Sequence, residues 1–238
     1  MNVIDIILIL LFVMFFIVGF KRGVIKETAS IIGVVVMFIV AFLFKGYVGN
    51  LLCTFLPFFK FTGSLEGLVA INILIYQLIG FLVIYGLLYS IYAIVLTISK
   101  VFQKLVDMTL VLLLPSKLLG GLFSLLKCYI IIFVIALVCM IPFKDNTLFN
   151  ESKFISFIIE KTPILSNASS NITSSIDEIY TLGDKLSKKE LTTNEANLQT
   201  IDVMLKYKLV DKKTIIKLQA IHKLDEINGL NKVLDKYE

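Results

Sequence analysis

The sequence predicts an all-α, polytopic membrane protein. It has about four transmembrane helices, an interfacial amphipathic helix between the last two, and a small helical C-terminal tail. Three observations predict this. Hydrophobic residues make up 58% of the 238-residue chain, whereas a soluble domain carries roughly 45–50%. Charged residues make up only 17%, too little polar surface for a water-soluble globule of this size. The apolar residues also fall in long, nearly unbroken runs, and these lie in residues 1–142.

The first run, residues 3–20, is almost entirely Ile, Leu, Val, Phe and Met. As a helix it reaches about 27 Å, close to the thickness of a bilayer core. A cleavable signal peptide would need a basic segment before the run and a small-residue cleavage site after it. Instead Lys21, Arg22 and Lys26 follow the run, so it reads as a retained helix. Residues 28–44 form the second span after a basic loop of about seven residues, which is short enough to force an antiparallel hairpin. Residues 45–67, with several glycines and Pro57 among aromatics, read as an interfacial or partly inserted loop.

Residues 68–98 form the third span, overlong at about 46 Å, which requires tilt, a kink or projection beyond the bilayer. Next, Lys100, Gln103, Lys104 and Asp107 share one helical face and Val101, Phe102, Leu105 and Val106 the other. That pattern predicts an amphipathic helix at the headgroup boundary. Residues 118–141 form the fourth span, closed by Pro142.

The tail, residues 143–238, is polar, helical and in part linker-like. Phe154, Ile155, Ile158 and Ile159 give it a short apolar face suited to the membrane surface. Pro163 and the polar run from Ser166 to Asn171 read as a linker. Thr192 and Glu195 have capping-box spacing. Helical stripes at Ile201, Met204, Leu205 and Leu209, then Ile215, Leu218, Ile221 and Leu224, predict a small helical cap without strands.

Charge locates the partners. Residues 1–142 carry nine Lys/Arg and four Asp/Glu, whereas residues 143–238 carry fourteen of each and are neutral. The excess of +5 therefore lies in the apolar half, in short loops beside a bilayer. A nucleic-acid partner would call for a basic stripe on a polar domain, so none is expected. Lys21, Arg22 and Lys26 in the first loop, with Lys100, Lys104 and Lys117 in the third, outnumber Lys45, Lys60, Lys144, Lys153 and Lys161 opposite by six to five. This places both termini on one side, the extracytoplasmic one.

The chemistry-bearing residues are few. Asp5 lies one turn inside the first run. It is either a functional intramembrane charge or an N-terminal helix cap. Gly19 and Gly23 have the spacing of a helix-dimer motif, but Lys21 and Arg22 interrupt it, so packing or a tight turn competes with dimerisation. Lys127 lies well inside the fourth run. It either snorkels to the basic side or pairs in the interior, with Glu27 or Asp107 before Asp5. Asn72, Gln77, Tyr85, Tyr89 and Tyr92 make the third span partly polar, through helix contacts and an aromatic belt or as a conduit. Cys53, Cys128 and Cys139 show no metal or disulfide spacing and read as small apolar residues. The single histidine, His222, reads as a solvated surface residue. No catalytic constellation, cofactor motif or metal-ligand set is visible, so no enzymatic activity is expected.

Asp5, then Gly19-Phe20-Lys21-Arg22-Gly23, Glu27 and Gly33, resemble the first hairpin of the colicin V production (CvpA) family of bacterial membrane proteins. The entry to the fourth span is similar as well, from Lys117-Leu118-Leu119-Gly120-Gly121 to Lys127, over a match of roughly residues 1–142. The chain departs from the family where Ser116-Lys117 replaces Asp-Arg, and where Ser124 and Cys128 stand at frequent glycine positions. The resemblance implies a multi-pass inner (plasma) membrane protein with a role in toxin production or export and in envelope physiology. It would act through homo-oligomers or other envelope or secretion proteins. The alternative is a small oligomeric channel or permease, motivated by the polar face and excess length of the third span.

Overall fold

The computed structural model describes residues 2–103, 115–144, 146–161 and 165–237. Among these the chain is helical, with no strand. The helices are α1 (Val3–Arg22), α2 (Val24–Phe55), α3 (Ile71–Gln103), α4 (Pro115–Phe143), α5 (Thr147–Asn150), α6 (Lys153–Glu160), α7 (Leu165–Ser187), α8 (Thr193–Lys206), α9 (Lys212–Ala220) and α10 (Leu230–Leu234), with one 3-10 turn at Gly63–Leu65. Four of them, α1 to α4, are long and apolar enough to cross a membrane, with mean hydropathies of 3.1, 2.5, 2.3 and 2.7. The protein is a multi-pass membrane protein with an all-α fold.

The chain divides into two compact units, and the division falls inside α2 and α3. Unit 1 holds residues 1–41 and 85–168. Its centre is the close pair α1 and α4. In the most apolar stretch of α4, 33% of the residues are buried, compared with 17% in α1, so α4 is the more buried of the two and α1 keeps a broad face for lipid. Exposed Ile7, Leu10, Met14 and Ile17 make that face. Against the pair lies α6, whose Ile155, Ile158 and Ile159 share a core with Leu8, Ile132, Phe133 and Ala136. The apolar face expected to lie on the membrane is thus turned onto other helices, while Phe157, outside that face, is exposed. Burying three isoleucines in a protein core removes them from both water and lipid, and a one-dimensional stripe cannot specify the covering partner.

Two expected loops are shorter in the structure. The basic loop of about seven residues contracts to one non-helical residue. Lys21 and Arg22 end α1, Lys26 lies in α2, and Gly23 alone reverses the chain. Gly23 has φ 78° and ψ 167°, a backbone that side-chain-bearing residues rarely adopt. The interfacial loop expected over residues 45–67 begins only after Phe55, because Gly46 and Gly49 continue α2. Gly49 is there for close packing, since an added Cβ would stand 2.7 Å from the Gln77 backbone. At 32 and 33 residues, α2 and α3 both exceed a bilayer core, so the excess length is not peculiar to the third span. The expected amphipathic helix falls mostly outside the described residues, beyond the continuous helix to Gln103.

Unit 2 holds residues 42–84 and 169–238. Here the end of α2, the start of α3 and the segment between them pack with α7 to α10. Asn72 both accepts from the Phe59 backbone N–H at 2.7 Å and donates to the Phe59 carbonyl at 3.1 Å. Tyr76 donates to the Pro57 carbonyl. Asn197 of α8 accepts from the Ala70 N–H at 2.8 Å and donates to the Gly67 carbonyl at 2.9 Å, joining the tail to the approach of α3. Ile176, Ile179, Ile201, Met204, Ile215 and Leu218 are fully buried. The helical tail therefore completes its core with membrane-proximal residues. Thr192 and Glu195 form the expected capping box. The run from Ser166 to Asn171, expected as linker, is instead the start of α7. Pro163 lies outside the described residues.

Candidate functional site

Unit 1 buries charge at the basic ends of its helices. Glu27 lies in the first turn of α2, four residues after Gly23, whose carbonyl accepts the Glu27 N–H at 3.2 Å. A carboxylate is favoured at a helix N-terminus. Its side chain has no exposure and accepts a hydrogen bond from Lys127 Nζ of α4. Lys127 Nζ also donates to Ser30 Oγ at 3.2 Å and stands 5.7 Å from the centroid of the Phe15 ring. Arg22 Nη1 approaches the second carboxylate oxygen at 3.5 Å. Lys127 is 6% exposed, so it does not snorkel into the headgroups. Of the readings open in the sequence, the interior pair with Glu27 is the one realised. Asp107 lies outside the described residues.

This ion pair sits beside a helix contact that tolerates almost no side-chain volume. A Cβ on Gly19 would meet Ser124 Cβ at 2.3 Å and the Gly120 carbonyl at 2.4 Å. One on Gly120 would meet the Gly19 carbonyl at 2.6 Å and the Gly23 backbone at 2.7 Å. Gly121 lies against the Phe16 ring. Gly19 and Gly23 thus serve packing within the chain and a tight turn. Ser124 and Cys128, where the chain departs from frequent glycines, are both buried on α4 and small enough to preserve the approach.

Asp5 belongs to a separate cluster at the far end of α1. It is fully buried. With Asn2 it forms a capping box on α1. Asp5 Oδ1 also accepts from Ser152 Oγ at 2.7 Å and from the Phe154 N–H at 3.3 Å. Ser152 caps α6 in turn. Asp5 therefore ties the starts of two helices together, extending the capping reading, and it is not brought to Lys127.

Gly33 packs under the Tyr92 ring, at 3.1 Å from an added Cβ. With Asn72 and Tyr76 holding the chain before α3, much of the polarity of that helix has a structural use. Lys21 and Lys117 are exposed. Among the described residues, no group of three His, Cys, Asp or Glu is placed to hold a metal ion. Sequence reasoning missed Ser30, Phe15, Ser152 and Asn197. Ser152, directly before the apolar periodicity of α6, carried a readable N-cap signal. The other three carried none.

A model of the colicin V production protein family matches residues 4–163. The chain belongs to the colicin V production family. The matched region runs past α4 through α6 and contains the Glu27–Lys127 pair, the glycine contact and the Asp5–Ser152 cap. The part of the tail beyond residue 163 lies outside the family match. No curated protein and no solved structure matches the chain.

Proposed function

We propose that this colicin V production family member is a non-catalytic membrane component that supports toxin production or export and envelope physiology. It works by assembling with copies of itself or with envelope and secretion proteins. The family match over residues 4–163 carries this reading. The Glu27–Lys127 pair and the glycine contact give α1, α2 and α4 a defined mutual placement, as a docking scaffold needs. We place it in the inner (plasma) membrane with both termini extracytoplasmic, on the charge of Lys21, Arg22, Lys26 and Lys117. The test is crosslinking in the membrane with identification of the captured chains, together with a toxin-export assay in a deletion strain. Export unchanged by deletion, or robust turnover of a small substrate by the pure protein, would sink the proposal. A reporter fused at residue 238 tests sidedness, and a cytoplasmic signal overturns it.

A second reading, a small oligomeric channel or permease, has one observation in its favour. Ionisable residues buried inside membrane-spanning helices commonly mark conduction paths, and Glu27 and Lys127 are such a pair. Liposomes containing the protein would then pass ions or solutes, with flux altered by Glu27→Leu. Tight liposomes remove this reading.

A further inference from the structure

We infer that unit 1 binds one acyl chain of a membrane phospholipid in a groove between α1, α4, α5 and α6. The groove has a volume of about 380 Å³, at the small end of the range for ligand pockets. That suits a single chain better than a whole lipid. Leu8, Leu11, Ile135, Ala136, Cys139 and Phe149 line it.

Its direction is set by the helices that make it. The lining residues run from Leu11 to Ile4 on α1 and from Ile132 to Phe143 on α4, roughly 10 Å and 16 Å along the two axes. The latter is about half the thickness of a bilayer core. The groove therefore starts near the middle of α1, ends at the helix ends, and lies parallel to the chains of one leaflet. It is also continuous with the lipid-facing surface, because Ile135, one of its walls, is itself 55% exposed.

Its chemistry excludes polar occupants. The walls are aliphatic and aromatic, apart from the Cys139 thiol and Asn146. Asn146 Oδ1 already accepts from the Leu148 N–H at 3.0 Å as the cap of α5. A ligand with hydrogen-bonding groups would lose its water without replacement inside such a groove, whereas an acyl chain has none to lose. The polar rim is at the surface end. There Asn2 donates to the Leu148 carbonyl at 2.6 Å, beside Asn146 and next to where a headgroup would sit.

Native Cys139 supplies the test, since it lines the groove while Cys53 and Cys128 are buried. The full-length protein is placed in phosphatidylethanolamine–phosphatidylglycerol vesicles containing a trace of phosphatidylglycerol with a photoreactive group on one acyl chain. After irradiation, adducts should concentrate several-fold on Ile135, Cys139 and Leu11 over Ile39 and Ile91, which are lipid-facing positions of α2 and α3. Alkylating Cys139 with a long-chain maleimide should plug the groove and abolish the enrichment without changing the sequence. Ala136→Phe should do the same by filling the groove from its wall. Adducts spread evenly over all lipid-facing helices, or enrichment that survives the Cys139 plug, would overturn the inference. So would chain-to-chain crosslinks from a photoreactive residue at Ile135, because a second copy would then cover the groove.

Discussion

The Glu27–Lys127 pair invites the sharpest test, because removing one partner and removing both have opposite consequences. Replacing Glu27 by Leu leaves the Lys127 ammonium buried with only Ser30 Oγ and the face of Phe15 as company. Stranding one charge of a buried pair costs about 3–5 kcal/mol. Replacing Lys127 by Met strands the carboxylate instead, but Arg22 already stands 3.5 Å from it and is half exposed, so it can move closer. The loss should therefore be smaller for Lys127→Met than for Glu27→Leu. The double variant removes both desolvated charges and should recover most of the stability, since well-packed apolar replacements of buried pairs are often neutral or better.

A suitable assay is thermal unfolding in mild detergent, read by a thiol-reactive dye. The chain has no tryptophan, but Cys53 and Cys128 are 0% and 1% exposed and become reactive on unfolding. At roughly 2–4 °C per kcal/mol for a chain of this size, a loss of 3 kcal/mol lowers the midpoint by about 6–12 °C. A Glu27→Leu midpoint equal to that of the unaltered protein, or a double variant as unstable as Glu27→Leu alone, would refute the buried-pair argument.

Other predictions follow from neighbouring geometry. Gly19→Ala drives a methyl into the Gly120 carbonyl and should cost about 1–3 kcal/mol by overpacking. Gly46→Ala, with open space around it in a helix interior, should gain up to about 1 kcal/mol. Midpoints in the same dye assay check both. Asp5→Ala removes the acceptor shared by Asn2, Ser152 and Phe154. It should expose α6 to limited proteolysis before the spans are cut, while Asp5→Asn, which keeps one acceptor oxygen, does so less.

In unit 2, hydrogen bonds from Tyr207 and then Lys206 hold the Glu178 carboxyl below its usual range. That contribution to stability is complete above the carboxyl's unfolded value and fades as pH falls through the lowered one. Donating to Glu178 likewise raises Lys206, whose contribution is complete below the ordinary lysine value and fades as pH rises through the raised one. Glu178→Gln should flatten the acid limb of a midpoint-versus-pH curve, and an unchanged limb would count against the cluster.

Much of the fold was legible because transmembrane helices are specified by composition over a long window. Thr192 and Glu195 mark a helix start through strictly local spacing. Failures occurred where a residue's meaning depends on what approaches it from elsewhere. Gly46 and Gly49 look like loop residues, but Gly49 is a seat for Gln77. The stripe at Ile155, Ile158 and Ile159 fits a membrane surface as well as it fits Leu8 and Ile132. The site was half legible. Topology put Glu27, Asp107 and Lys127 at one end and ranked Asp5 behind both carboxylates, without choosing between Glu27 and Asp107. The contributions of Ser30 and Phe15 depend on helix rotation, which apolar runs of near-uniform hydropathy do not encode.

The uniform hydropathy of α1, α2 and α4 also explains why the chain needs both the pair and the glycines. In lipid, apolar side chains gain little by choosing one another over the solvent, so helix placement must rest on close van der Waals packing and on polar contacts. Gly19, Gly120 and Ser124 supply the first, and Glu27 with Lys127, Ser30 and Arg22 supplies the second. The two devices lie within about two turns of each other on α4, from Gly120 to Lys127. A rotation of α4 that broke the ion pair would also drive Ser124 off Gly19. The two contacts are therefore coupled, and a Gly19→Ala, Glu27→Leu double variant should lose less stability than the sum of its parts. Additive losses would show that α4 is fixed by two independent contacts.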